Sequence, residues 1–268
     1  MVLRFHKYQG TGNDFIMVDQ RDIKYIHHFE TQLIKTLCDR RFGIGADGLI
    51  LLENSPGNDF RMVYFNADGH EGSMCGNGGR CILAFARTLG IFDKATTFDA
   101  VDGVHSGKVQ SDGTIGIQMR DVNEIISIDK NTHELNTGSP HYVIYLNNLP
   151  VNVKLEGANI RYSDKYKKEG INVNFVVEKS VNKLEAATYE RGVEDETYSC
   201  GTGVTAIALS YAYKHNLLGK NEIFIDMKGG ELRVTFVREG MENFTDIWLS
   251  GPAEKVFEGT FSLNAKLA

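Results

Sequence analysis

The feature that most restricts what this chain can fold into is a short internal echo. Cys75-Gly76-Asn77-Gly78 is matched 125 positions later, in a chain of 268 residues, by Cys200-Gly201-Thr202-Gly203. Each turn runs into a stretch that is small or apolar nearly all the way round: Cys81-Ile82-Leu83-Ala84-Phe85-Ala86 in one, Val204-Thr205-Ala206-Ile207-Ala208-Leu209 in the other. A helix without a polar stripe has no solvent face, so other structure has to enclose it. Helical pattern is strong over 30–41, 78–89 and 202–214 only, whereas alternating runs rich in β-branched and aromatic residues recur along the chain. Such runs lie at 14–19, 60–65, 96–101, 143–146, 173–178, 222–227, 232–237 and 246–249, most of them bounded by Gly, Asn or Asp. The expectation is an α+β chain of two related halves, each a β-rich unit around a central helix. Its length suits two domains of about 100–150 residues. The predicted division falls near Arg120, giving 1–119 and 120–251, and the strand-like tail 252–268 is expected to rejoin the first half.

Composition removes several classes of function. With 42% hydrophobic and 24% charged residues, no apolar run approaches the roughly 18 needed to span a membrane. The start, Met1-Val2-Leu3-Arg4-Phe5-His6, lacks the apolar core of a secretion signal, so no membrane association and a cytoplasmic location are expected. Nucleic acid is not an expected partner either: the net charge is −6, and the largest basic cluster is Lys165-Tyr166-Lys167-Lys168. The four cysteines, Cys38, Cys75, Cys81 and Cys200, show no Cys-x2-Cys spacing, so no zinc site is predicted and reduced thiols are expected.

A helix N-terminus exposes unpaired N–H groups and about half a positive charge, which favours a thiolate or a carboxylate placed there. A thiol with an ordinary pKa of about 8.5 becomes a usable base near neutrality in that position. Gly76 and Gly201, with Gly78 and Gly203, let the backbone come close to a ligand, so the N–H groups of each turn can cradle a carboxylate. Two such turns suit inversion at a carboxylate-bearing carbon, one thiolate removing the α-proton and the other thiol returning one. This chemistry needs no pyridoxal phosphate, and no cofactor is predicted. Cys38 and Cys81 have no glycine-rich entry and are expected to be buried packing residues.

Further motifs are Gly10-Thr11-Gly12-Asn13-Asp14-Phe15, Gly43-Ile44-Gly45-Ala46-Asp47-Gly48, Phe65-Asn66-Ala67-Asp68-Gly69, Pro140-His141, Asn172-Val173-Asn174-Phe175 and Tyr189-Glu190-Arg191-Gly192. In this order, with the two cysteine turns, they resemble the diaminopimelate epimerases over most of the chain. The resemblance implies two pseudo-symmetric β-barrel-like domains, each around a central helix, with the active site in the cleft between them. It implies reversible conversion of LL-2,6-diaminopimelate to the meso form, a step toward lysine and peptidoglycan, with Cys75 and Cys200 as the paired bases. It also implies substrate contacts from Asn13, Asn66, Asn172 and the charged pair Glu190 and Arg191, beside Gly76, Asn77, Gly201 and Thr202 of the two turns. A small diamino dicarboxylic acid fits these groups, because Arg191 can fork a distal carboxylate while Glu190 receives an ammonium. His141 is carried as either a group that orients or deprotonates a cysteine or a hydrogen-bonded structural histidine.

The segment Gly43–Gly48 also fits Gly-x-Gly-x-x-Gly, but it follows a helix and precedes the strand Leu49–Leu52, the reverse of a dinucleotide site. Departures from the family pattern are Ser139 before Pro140-His141, Gly48 where some members carry a polar side chain, and a stretch 192–199 that lacks a second glycine. Two alternatives stay open: a proline or hydroxyproline racemase of the same architecture, and a thiol redox or binding protein. Whether a second copy of the chain is a partner is not decided by the sequence.

Overall fold

The computed structural model describes residues 1–72, 74–150 and 152–263. The chain divides into two compact units, one spanning Met1–Ile117 and completed by the chain from Pro252 onward, the other Gln118–Gly251. The first contains β1 (Val2–Gly10), β2 (Asn13–Asp19), α1 (Thr31–Cys38), β3 (Gly48–Glu53), β4 (Phe60–Asn66), α2 (Gly76–Thr88), β5 (Ala95–Ala100) and β6 (Gly103–Val109), with β7 (Ile115–Gln118) at its end. The second contains β8 (Ile125–Asp129), β9 (Thr132–Asn136), β10 (Pro140–Tyr145), α3 (Val153–Arg161), β11 (Asn172–Ser180), β12 (Lys183–Glu190), β13 (Asp195–Thr197), α4 (Gly201–Lys214), β14 (Gly219–Met227), β15 (Gly230–Glu239) and β16 (Asn243–Gly251). The tail forms β17 (Glu254–Ser262), antiparallel to β1.

The echo in sequence is an echo in topology. From β17 the first unit pairs β1, β2, β3, β4, β5, β6 and β7 in turn, with the order antiparallel, antiparallel, parallel, antiparallel, parallel, antiparallel, antiparallel. From β8 the second pairs β9, β10, β11, β12, β14, β15 and β16 with the same order. Each parallel pair needs a crossover. The first crossover carries α1 or α3, and the second carries α2 or α4, so the two cysteine turns occupy equivalent places.

Both crossover helices are enclosed, as their composition requires. In α2, Ile82, Leu83, Phe85 and Ala86 are fully buried, and in α4 Val204, Ala206, Ile207, Ala208 and Leu209 are. Each large apolar side chain buried in this way contributes about 1.5–3 kcal/mol. Helix α4 stops where Asn216 turns left-handed at φ 51°. The buried Arg238 guanidinium ties this end down, donating to Ala212 O in the last turn at 2.7 Å and to Leu217 O just beyond the helix at 3.2 Å.

Several elements differ from the expectation. Helix α1 is shorter at both ends than 30–41, and α3 was not anticipated at all. Its sequence buries only Val153 and Gly157, so it has no apolar stripe to read, and its central glycine looks like a break. That glycine is needed for packing, since a Cβ at Gly157 would lie 2.3 Å from Tyr189 Cβ. The strands 103–109, 115–118, 125–129, 132–136, 183–190 and 195–197 also fall outside the predicted set. Polar edge-facing stretches such as Ile125–Asp129, exposed from Ile126 onward, carry little alternation.

Candidate active site

Strand register brings the motif residues of each unit to one sheet end. In the first unit Asn13 opens β2, Gly48 opens β3 opposite Asn66, and Asn66 closes β4 before the chain enters the Cys75 turn. In the second, His141 at the start of β10 lies opposite Asn172 at the start of β11, next to the end of β12 where Glu190 sits. The chain then returns through β13 to the Cys200 turn.

Cys75 is the N-cap of α2. Its backbone is extended, and its Sγ accepts the Gly78 N–H at 3.2 Å, so the thiol sits over the first turn. Two asparagines are fixed beside it: Asn77 Nδ2 donates to Asn13 Oδ1 at 3.3 Å, and Asn13 Nδ2 donates to Asp47 Oδ2 at 2.7 Å. Asp47 also accepts from Arg40, which forks Asp14 at 2.7 and 2.9 Å. The Arg40 and Lys7 cations hold the Asp14 carboxyl well below the usual carboxylate range against the opposing effect of its burial. The motif Gly43–Gly48 runs from the end of α1 into β3, the reverse of a dinucleotide-binding turn.

Cys200 is the N-cap of α4, with no side-chain cap hydrogen bond of its own. Its Sγ is 3.5 Å from Thr202 Oγ1, and Thr202 Oγ1 is 2.9 Å from His141 Nε2. The tautomer follows from the partners. Asn174 accepts from Thr188 Oγ1 through Oδ1 and donates through Nδ2 to Tyr142 O and His141 Nδ1, so Nδ1 is the acceptor and Nε2 carries hydrogen. Burial, with the Arg191 cation adding to it, pushes the His141 imidazolium down to about 3, against the Asn174 hydrogen bond. His141 is thus a neutral group that reaches Cys200 through Thr202. Gly203 is required by this packing, because a Cβ there would stand 2.6 Å from Asn174 Oδ1 and 3.3 Å from His141 Cε1.

Glu190 and Arg191 go separate ways, as neighbours along a strand do. Burial raises the Glu190 carboxyl above its ordinary value, and contacts to Thr197 and Cys200 act against it. The Arg191 guanidinium donates to Glu169 O at 2.8 Å and Ser139 Oγ at 3.4 Å. Among the described residues no ion pair joins Glu190 to Arg191, which corrects the sequence picture of one charged pair. Asn172 Oδ1 accepts the Arg191 N–H at 2.9 Å, while its Nδ2 donates to Ser139 Oγ at 2.8 Å, so Ser139 links Asn172 to Arg191.

The other two departures also have structural answers. A Cβ at Gly48 would meet the Tyr64 ring at 2.5 Å: Tyr64 fills the space a side chain would use, and its hydroxyl donates to Asn66 Oδ1 at 2.9 Å. In the stretch after Arg191, Glu194 takes φ 57° in place of a glycine. Its carboxylate accepts from Tyr189 at 2.7 Å, Tyr162 at 2.9 Å and the Gly192 N–H at 3.1 Å, which hold that conformation. Tyr64, Asn174 and Arg80 are not singled out by the sequence, although Asn174 stands inside a quoted motif. Cys38 and Cys81 are buried, and burial pushes the Cys38 thiol up to about 12 and the Cys81 thiol higher. Among the described residues no helix is long and apolar enough to cross a membrane, and no group of three or more His, Cys, Asp or Glu is placed to hold a metal ion.

Solved structures share this fold over nearly the whole chain. A phenazine biosynthesis protein of the PhzF family from Bacillus anthracis superimposes with a TM-score of 0.76 at 14% identity, covering 98% of this chain and 100% of that one. A hydroxyproline epimerase from Agrobacterium vitis does so with a TM-score of 0.68 at 12% identity, covering 99% and 94%. The architecture is therefore that of the α+β class in which two like-built halves each enclose a helix. Within that class the sequence decides the family. The family model for diaminopimelate epimerase matches residues 5–125 and 134–256, and the diaminopimelate epimerase of Flavobacterium psychrophilum is 53% identical over 261 residues, covering 96% of this chain and 100% of the relative. The chain belongs to the diaminopimelate epimerase family, a family of isomerases.

Proposed function

We propose that this protein epimerises LL-2,6-diaminopimelate to the meso form with Cys75 and Cys200 as paired acid and base. The observation that carries the proposal is the duplication itself: two cysteines cap enclosed helices at equivalent places in two units of the same strand order. The N–H groups at each helix start favour a carboxylate and the negative charge that develops on it when the α-proton leaves. One cysteine, as thiolate, takes that proton, and the other, as thiol, returns a proton to the opposite face; the electron pair of the broken C–H bond stays with the substrate, shared between the α-carbon and its carboxylate until the new C–H bond forms. The pair ends each turnover with its protonation states exchanged. Glu190 is the group through which Cys200 regains its starting state, while the neutral chain His141–Thr202 holds the thiol in place by hydrogen bonds.

Substrate choice rests on the charged and amide side chains. Arg191 suits the distal carboxylate and Glu190 an ammonium, while Asn13, Asn66, Asn77 and Asn172 orient a doubly headed amino acid, with the backbone of Gly76, Gly201 and Thr202 at the reacting carboxylate. The product serves lysine and peptidoglycan synthesis, and a cytoplasmic setting keeps both thiols reduced. Assays with diaminopimelate and with proline separate this reading from its closest rival: epimerisation of diaminopimelate alone is expected, and turnover of proline or hydroxyproline alone would overturn the assignment. Tyr64→Phe keeps the ring against Gly48 and removes the hydroxyl on Asn66. We expect KM for diaminopimelate to rise about fivefold with kcat within about twofold, the size of one hydrogen bond. Steady-state kinetics check this.

A further inference from the structure

Arg80 stands one turn into α2 and is fully buried. Its guanidinium donates to Gly76 O at 3.3 Å, Thr11 Oγ1 at 3.1 Å and Asn77 Oδ1 at 3.1 Å, with Nε 3.5 Å from Pro252 O. All four acceptors are neutral, and among the described residues no carboxylate pairs with it. A guanidinium stays charged in such a place, and a buried charge without a counter-ion is strongly unfavourable. Burial lowers it only to about 10, so it is a cation at neutral pH. Two thiols interact with that charge. Cys81 is sealed in the core and stays protonated, whereas Cys75 caps the same helix and is only half-buried.

We propose that Arg80 is a positioning residue whose buried charge is completed by an anion at the start of α2, the Cys75 thiolate, its proton released to solvent. The proposal rests on the reading of Cys75 as the base. The hydrogen bond from Arg80 to Asn77 Oδ1 also turns the Asn77 amide so that Nδ2 faces Asn13, linking the charge to the residues expected to hold substrate.

Of the other charged groups on the strands packed against α2, Arg4 of β1 is exposed, and those named next are engaged elsewhere. Lys7 of β1 pairs with Asp14 of β2 at 2.9 Å, and Asp19 at the end of β2 pairs with Arg21 just beyond it at 2.8 Å. His6 meets Glu258 of β17 at 3.3 Å and lies tilted against Phe85 further along the helix, and Tyr8 reaches Thr88. Glu53 of β3 is held by His28 at 2.8 Å, and His105 of β6 by Asp102 at 2.9 Å, where Lys108 is also carried. On β17, Glu254 accepts from Gln9 at 2.9 Å and Lys255 from the same strand pairs with Glu258. None of them supplies the missing anion.

The test is the pH dependence of iodoacetamide alkylation at Cys75, read by peptide mass spectrometry in full-length Cys200→Ala protein carrying Arg80, R80K or R80M. We expect R80M to raise the alkylation midpoint by about one pH unit or more, slowing Cys75 alkylation at pH 7 about tenfold, and R80K to stay within about 0.3 unit. A folded R80M with the midpoint of the Arg80 protein would overturn the proposal. If R80M does not fold, R80Q takes its place as the neutral variant: a rise of about one unit is expected, and an unchanged midpoint in folded R80Q overturns the proposal. The readout involves no substrate, so this result and the diaminopimelate assay can fail independently.

Discussion

Cys75→Ala and Cys200→Ala are each expected to slow diaminopimelate epimerisation by about a thousandfold or more, because each removes one of the two proton-transfer groups. Neither change should unfold the chain. Loss of an N-cap side chain costs about 1 kcal/mol. Cys75 contributes one such bond, to the Gly78 N–H at 3.2 Å, and α4 has no side-chain cap bond to lose. The enclosed faces of both helices, from Ile82 to Ala86 and from Val204 to Leu209, are untouched. The expected signature is a collapse of kcat beside a thermal melt close to that of the parent, measured by polarimetry and circular dichroism. A parallel loss of melting temperature and rate would make the cysteines packing residues instead.

The second large effect is on stability in acid. His141 is fully buried and neutral, with its imidazolium pushed down to about 3, whereas an unfolded histidine titrates near 6.5. Above that value both states are neutral and the stability is undiminished. As pH falls below about 6.5 the unfolded chain takes up a proton that the native chain refuses, so stability is lost at about 1.4 kcal/mol per pH unit. Between pH 6.5 and 5 the loss from this one group is about 2 kcal/mol. Asp14, with its lowered carboxyl, adds a further loss at lower pH, and Glu190, with its raised carboxyl, works in the opposite sense. Comparing parent with His141→Gln cancels both. Urea denaturation at a series of pH values should show a shallower decline in the variant, and parallel curves would show that His141 accepts a proton in the native state.

The family and the enclosed helices were legible because their signals are local. A cysteine followed by spaced glycines and an all-apolar stretch leaves few arrangements open, and the α+β fold with two central helices follows from it. Alternation located strands whose two faces differ, such as β4 and β15. It failed for β8, which is mostly exposed, and for α3, whose Gly157 is explained only by the Tyr189 side chain lying against it. The candidate site is legible as motifs and illegible as contacts. That Tyr64 occupies the space beside Gly48 depends on register between β3 and β4, which no motif encodes. The divergence of Glu190 toward Cys200 and Arg191 toward Ser139 depends on where β12 ends. The burial of Arg80 without a carboxylate depends on the Thr11 loop folding over α2.

Two-cysteine proton exchange is tested most directly by running the reaction in heavy water. In the parent protein, solvent deuterium should appear at the α-carbon of diaminopimelate as the LL and meso forms interconvert. In Cys75→Ala and in Cys200→Ala, deuterium incorporation accompanied by inversion should fall with epimerisation, because inversion needs one group to take the proton from one face and a second to return one to the other. Deuterium uptake with inversion at the parent rate in either folded variant would contradict the account.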